Sequence, residues 1–144
     1  MGKIITAERY HDISCGHRVV GHENKCKFLH GHNYRFHFKI ASASGLDEVG
    51  RVMDFGVIKS KLCNWLEENY DHKMLIWELD PMLVDLKKIS PESIVITDFN
   101  PTAEHIAEHI CEVLAPDLLA GTGCVLIEVT IEETRKCSAT NRIR

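Results

Sequence analysis

The stretch HGHNYRFHFKI, residues 30–40, places Tyr34, Phe36, Phe38 and Ile40 at every second position. Successive side chains of a strand point to opposite sides, so this alternation describes a strand with one face covered by the rest of the chain. The same parity carried backwards sets His30 and His32 on the covered face. Uncharged imidazoles buried there need partners, and a metal ion is one that engages both. His17, in the preceding loop, can fold back as a third donor.

Three neutral ring nitrogens leave one position of a tetrahedral zinc ion open, the arrangement of a catalytic site. Water or a substrate hydroxyl in that position becomes more acidic and more polarised. Two other readings fit the same residues. In one, the histidines bond only to backbone groups. In the other, Cys15 or Cys26 completes a closed structural site, although the C-x-x-C pair common to such sites is missing.

The remaining pattern is that of an α+β chain. KIITAERYHDIS (3–14) is rich in strand formers, and NYRFHFKIAS (33–42) is the cleanly alternating strand. Between them, roughly twenty residues hold Gly16, Gly21, Cys26 and Gly31, and irregular loops of that length in compact domains are usually functional. VMDFGVIKSKLCNWLEENY reads as a helix capped by Asp54, with Phe55, Ile58, Leu62, Trp65 and Leu66 at helical spacing. ELDPMLVDLKK suggests a short helix and SIVITDF a short strand. NPTAEHIAEHICEVLA forms a second amphipathic helix, capped by Thr102, with Ala103, Ile106, Ala107, Ile110 and Leu114 facing inwards. In CVLIEVTIEET, Val125, Ile127, Val129 and Ile131 share one face, and Leu126, Glu128, Thr130 and Glu132 the other. The order of strands and helices argues for an α+β sandwich, with residues 1–144 as a single domain.

Composition narrows the function class. The net charge is -4 and the basic residues are spread along the chain, so the electrostatic footprint of a nucleic-acid binder is missing. No apolar run approaches the ~18 residues of a membrane helix, and the start has no apolar signal core, which reads as a cytoplasmic protein without a membrane partner. Met1-Gly2 with Thr6 matches part of a myristoylation pattern but lacks a second anchor. Six cysteines in such a setting read as thiols, with Cys63, Cys111 and Cys124 inside apolar patterns.

Other residues can do chemistry. HIAEH (105–109) matches the H-x-x-E-H pattern of inverted zincin peptidases, but helical spacing puts His105, Glu108, His109 and Glu112 opposite the apolar stripe, in solvent. Cys26 lies four residues before His30, where a nearby cation would lower its thiol pKa and make it a usable base or nucleophile. Asp71 adjoins His72, and a carboxylate that meets an imidazole orients it and raises its basicity. Glu133 continues the parity of Val129 and Ile131, so either it closes an apolar face with a carboxylate or the strand frays and it meets water. A carboxylate in the first position can accept two parallel N–H bonds from a fork such as a 2-amino-4-oxo pterin or guanine ring.

CGH at 15–17, CKFLHGHNY at 26–34, MDFGVIK at 53–59, YDHKML at 70–75, NPTAEH at 100–105 and EET at 132–134 together resemble the 6-pyruvoyl- and 6-carboxy-tetrahydropterin synthase family, in order and over nearly the whole chain. The resemblance implies the tunnelling fold: a four-stranded antiparallel sheet with two helices on one face, sheets from three subunits closing a barrel, and two trimers stacked as a homohexamer with active sites between subunits. It assigns zinc to His17, His30 and His32, the catalytic thiol to Cys26, the acid/base pair to Asp71 and His72, and the pterin anchor to Glu133.

The spacing C-x-x-x-H from Cys26 to His30 resembles the bacterial 6-carboxy branch of queuosine biosynthesis. The implied substrate is 7,8-dihydroneopterin triphosphate, cleaved to 6-carboxy-tetrahydropterin, acetaldehyde and triphosphate. The alternatives are the 6-pyruvoyl product, formed by triphosphate elimination, and a zinc- or pterin-binding protein without turnover. The chain departs from the family pattern at His105, where asparagine is usual, and in its tail TRKCSATNRIR. Arg18, Lys25 and Lys27 are candidates for triphosphate contacts, or else solvated loop residues.

Overall fold

A computed structural model describes residues 3–143, so the Met1-Gly2 motif lies outside the described residues. Strand β1 (Thr6–His17) pairs antiparallel with β2 (His30–Ser42). Helix α1 covers residues 55–69 and is followed by β3 (Met74–Trp77), the short helix α2 (Leu83–Ile89) and β4 (Ile94–Thr97). Helix α3 covers residues 103–118 and leads into β5 (Cys124–Glu132) and β6 (Ser138–Arg142).

The sheet has six strands in the order β4-β3-β1-β2-β5-β6, not the four expected. It is also mixed: β1, β2, β5 and β6 form the antiparallel part, while β3 runs parallel to β1 and β4 parallel to β3. The two strands absent from the sequence reading carry little pattern. β3 is the unalternating run MLIW, and β6 is the short polar edge segment SATNR, whose pairing with β5 draws on backbone groups and on the Thr140 and Arg142 side chains instead of an apolar face.

Both long helices begin where their caps predict. Asp54 accepts a hydrogen bond from the Gly56 amide at 2.8 Å, and Thr102 Oγ1 accepts one from the His105 amide at 3.1 Å. Each helix widens by a π turn in its middle, at Lys59–Cys63 and at Ile110–Leu114. Ile58, Leu62 and Leu66 of α1 and Ala103, Ile106, Ala107 and Ile110 of α3 share one core with Tyr34, Phe36, Phe38 and Ile40, so both helices cover the face foreseen from β2. The opposite face of β2 and β5 carries polar positions such as Lys39, Glu128 and Thr130. Among the described residues no helix is long and apolar enough to cross a membrane, and the cysteines are free thiols.

Two local features differ from the sequence reading. On β5, Lys39 opposes Glu128 but Ile40 opposes Leu126, so a β-bulge at Ile127 shifts the alternation. Leu126 is therefore in the core at 1% exposure, whereas Val125 is 43% exposed; Val129 and Ile131, beyond the bulge, face inwards as expected. At the other end of the sheet, β1 does not stop near Ser14 but runs through Gly16 to His17. A Cβ at Gly16 would lie 2.6 Å from Met74 Cε, so only glycine lets β3 approach here.

Candidate metal centre

The extension of β1 sets the geometry. His17 is directly opposite His30 in the β1–β2 register, and Cys15 is opposite His32, so the three imidazoles sit on one face. His17 is thus a strand residue and not a loop donor that folds back. Ring centroids lie 4.6 Å apart for His17 and His30, 4.8 Å for His30 and His32, and 5.1 Å for His17 and His32. The hairpin between β5 and β6, in which the Glu133 amide donates to Cys137 O at 3.0 Å, brings Glu133 to the same point. One donor atom from each of His17, His30, His32 and Glu133 lies within 4.8 Å of the others. The strand turns at Glu133 instead of fraying into water.

The hydrogen bonds fix which nitrogens face inwards. His17 Nδ1 donates to Pro101 O at 2.6 Å, and His30 Nδ1 donates to Phe28 O at 2.7 Å. A carbonyl oxygen only accepts, so each ring carries a proton on Nδ1 and, as a neutral imidazole, turns the Nε2 lone pair to the centre. The Nε2 atoms of His17, His30 and His32 are all buried and have no hydrogen-bond partner. His17 Nε2 and His32 Nε2 nevertheless lie only 3.0 and 3.1 Å from Glu133 Oε1. Bare lone pairs facing a carboxylate at that range repel, so a proton or a cation must lie between them; a proton serves one ring alone, whereas a single cation engages all three Nε2 atoms. The reading in which backbone groups alone satisfy the histidines therefore accounts for the Nδ1 atoms and not for Nε2.

The electrostatics agree. Burial lowers the pKa of His32, against the pull of Glu133, and so favours the neutral, ligating ring. Contact with His17 leads the influences that hold the Glu133 carboxyl below its usual range, with His32 and His30 adding to it and burial opposing. Cys15, buried at 5% exposure, has its thiol pushed up to about 12 by burial and donates to Gly16 O, which removes it as a thiolate ligand. Neither Cys15 nor Cys26 belongs to the converging group.

Cys26 sits on a single 3-10 turn, Lys25–Lys27, half-buried at the rim. Its loop is pinned from three sides. Val19 N donates to Cys26 O at 2.8 Å, and the Asn100 side chain exchanges two hydrogen bonds with the Val20 backbone at 3.0 and 2.9 Å. Arg18 makes a paired contact with the buried Asp80 carboxylate at 2.5 and 2.8 Å and donates to Lys27 O at 2.8 Å. Arg18 is therefore a structural clamp, neither a solvated loop residue nor a free triphosphate ligand. Asp80, Asn100 and Pro101 place this loop and His17: Asn100 and Pro101 lie in the NPTAEH motif but act on a backbone group and through a backbone carbonyl, and Asp80 acts on the Arg18 guanidinium from outside every motif, so none of these roles is read from the sequence.

Asp71 and His72 do meet: His72 Nδ1 is 2.8 Å from Asp71 Oδ2, and Asp71 Oδ1 accepts the Ser14 amide at 2.9 Å. Burial would raise the Asp71 pKa, but these hydrogen bonds hold it below the ordinary carboxylate value. His72 has φ 60, the sole positive value outside glycine among the described residues, and its amide donates to Ser14 O at 2.6 Å. Its ring is 79% exposed, and its Nδ1 is engaged by Asp71. An open depression of about 860 Å³ runs from His32 and Glu133 past Ser14 to Asp71, with Arg35 and Arg135 on its walls.

The H-x-x-E-H segment is not a second centre. His105 and Glu108 are exposed, as the helical spacing requires, and His109 packs on Phe99 at 4.9 Å. His105 Nδ1 lies 2.7 Å from Asn100 O, so at the family's usual asparagine position a histidine braces the same loop.

Residues 5–143 match the family model described as 6-pyruvoyl tetrahydropterin synthase. The chain is 36% identical over 135 residues to a 6-carboxy-5,6,7,8-tetrahydropterin synthase of Rickettsia felis, covering 93% of this chain and 97% of that protein. It is 30% identical over 128 residues to a probable 6-carboxy-5,6,7,8-tetrahydropterin synthase of Halobacterium salinarum, covering 88% and 79%. Among solved structures, an uncharacterized protein of Wolinella succinogenes shares the fold with a TM-score of 0.84 at 23% identity, over 99% of this chain and 100% of that one. The 6-pyruvoyl tetrahydropterin synthase of Caenorhabditis elegans does so with a TM-score of 0.69 at 24% identity, over 99% and 97%.

Proposed function

Because the chain belongs to the 6-pyruvoyl tetrahydropterin synthase family, we propose that it is a zinc-dependent 6-carboxy-5,6,7,8-tetrahydropterin synthase of queuosine biosynthesis, a cytoplasmic lyase that converts 7,8-dihydroneopterin triphosphate and one water to 6-carboxy-tetrahydropterin, acetaldehyde and triphosphate. The observation that carries the reading is the set of three buried, partnerless Nε2 atoms on His17, His30 and His32. Imidazole donors suit zinc, and three of them leave the open position of a catalytic ion. The names borne by the relatives and the C-x-x-x-H spacing of Cys26 and His30 favour the carboxy branch.

Zinc held by these residues would polarise a side-chain oxygen of the substrate. The protein's own groups supply the rest. Glu133 accepts the N–H fork of the pterin ring and so fixes the side chain over the histidines. Cys26 takes a proton from the substrate side chain, and His72, oriented by Asp71, returns or removes one. In a single chain the His72 ring is 79% exposed, which fits a site completed by the Asp71–His72 pair of a neighbouring copy in a barrel-forming trimer, stacked as a homohexamer.

The test is incubation of the zinc-loaded protein with 7,8-dihydroneopterin triphosphate, with products identified by mass and acetaldehyde assayed. The carboxy reading expects 6-carboxy-tetrahydropterin and acetaldehyde. The 6-pyruvoyl compound without acetaldehyde would move the protein to the other branch. A Cys26→Ala protein that keeps zinc and loses turnover would separate an enzyme from a binding protein.

A further inference from the structure

Beside the three histidines lies a buried polar group that no role so far uses. Tyr34 is 1% exposed and its hydroxyl has no hydrogen-bond partner. Its ring stands edge-on to His32 at 5.3 Å and to His17 at 5.9 Å, while its other side meets Phe36 at 6.0 Å. Phenylalanine would fill this position at no cost in packing, and the neighbouring core positions of the same face, Phe36 and Phe38, are phenylalanine. A buried hydroxyl without a partner destabilises the fold by about 1–3 kcal/mol, so its presence calls for a state in which it is bonded.

That state follows from the bookkeeping of donors at Glu133. In the structure its Oε1 lies against His17 Nε2 and His32 Nε2. Once those nitrogens turn their lone pairs to a metal ion, the carboxylate has no imidazole left to hold it. The Tyr34 ring borders His17 and His32, the two imidazoles whose Nε2 atoms lie against Glu133, so this carboxylate is the charged acceptor next to the hydroxyl, and a phenol at neutral pH is a donor. The hydroxyl rotates freely and has nothing else to bond.

We infer that Tyr34 is a positioning residue whose hydroxyl donates to Glu133 when His17, His30 and His32 are occupied with a metal ion, holding that carboxylate for the ligand. The inference rests on the metal reading above and adds a residue to it. A carboxylate has room for this bond and for the pterin fork together, since its two oxygens offer about four acceptor sites.

Three variants test it: Tyr34→Phe, Glu133→Ala and the double substitution. Two quantities are read for each, the thermal midpoint of the metal-free protein and zinc affinity by competition with a chromogenic chelator. The metal-free Tyr34→Phe protein is expected to melt at the same temperature as its parent or higher, because an unpartnered hydroxyl has gone. Its zinc affinity is expected to fall about tenfold, because the loaded form has lost a hydrogen bond to a charged group. In the Glu133→Ala background the same substitution should leave zinc affinity unchanged.

A metal-free Tyr34→Phe protein that melts lower, or one that binds zinc as tightly as the parent, overturns the inference and leaves the metal reading standing. An equal loss in the Glu133→Ala background also overturns it, since the hydroxyl would then act elsewhere. A parent protein that takes up no zinc removes the metal reading and this inference with it.

Discussion

The two ends of β2 present the same covered face and end in opposite conditions. From Phe36 to Ile40 the face is apolar, and Phe36, Phe38 and Ile40 are closed off by α1, α3 and β5 at 0–1% exposure. From His30 to Tyr34 the face is as well enclosed at its ring nitrogens, yet three Nε2 atoms and a phenol hydroxyl have no partner. One end is complete as folded. The other is complete only with a ligand, because buried polar atoms are satisfied almost everywhere in native proteins.

The sharpest way to break that contrast is to substitute at each end and measure both stability and activity. His30→Ala should abolish high-affinity zinc binding and lower turnover on the order of a thousandfold, since Lewis-acid polarisation supplies several kcal/mol of the barrier reduction. The metal-free protein should melt near its parent, because the lost ring leaves fewer unpartnered atoms behind. A metal-free midpoint that collapses would mean that the histidine end is structural and the contrast is false.

Phe38→Ala probes the other end. Deleting a fully buried ring from a packed core should cost about 3–5 kcal/mol of stability in chemical denaturation. Zinc affinity of the folded fraction should stay within about twofold, as the deletion lies beyond the immediate shell of the site. A large loss of affinity would show that the apolar end sets the positions of the histidines, and the two ends would then be one unit.

How much of this was legible in the sequence differs between the same two ends. The apolar alternation of β2, the two long helices and their caps Asp54 and Thr102 follow from spacing and cap chemistry, and the structure keeps them. His30 and His32 were legible through parity. His17 reads as a loop residue because glycine at 16 masks a strand that continues through it, and the reason for that glycine, the side chain of Met74, is far along the chain. The bulge at Ile127 leaves no mark in the apolar run VLI, where each residue suits a strand, so simple alternation points Val125 to the core in place of Leu126. The strands β3 and β6 are too short or too polar to announce themselves, and the carbonyls of Phe28 and Pro101, which set the imidazole tautomers, are backbone atoms that every sequence has.

The comparison also needs a control for burial itself. Glu128 lies at the apolar end, on the other side of the sheet, and is 8% exposed, but it has partners: Lys39 Nζ at 3.1 Å and Arg142 Nη2 at 2.5 Å. Burial tends to raise its pKa, and Arg142 and Lys39 outweigh that, so the carboxyl titrates below its ordinary value of 4.5. A carboxylate whose pKa is depressed on folding adds stability above its unfolded value and loses it as pH falls through the folded one. Glu128→Gln should therefore melt below the parent at pH 7, by no more than about 1 kcal/mol because Arg142 is largely exposed, and the gap should close as pH drops below 4.5. A gap that persists in acid would mean that shape, not charge, is what the two basic residues recognise. A gap that closes would show that a buried charge at this end is satisfied within the fold, so that the missing partner, and not burial, is what marks the histidine end as a site.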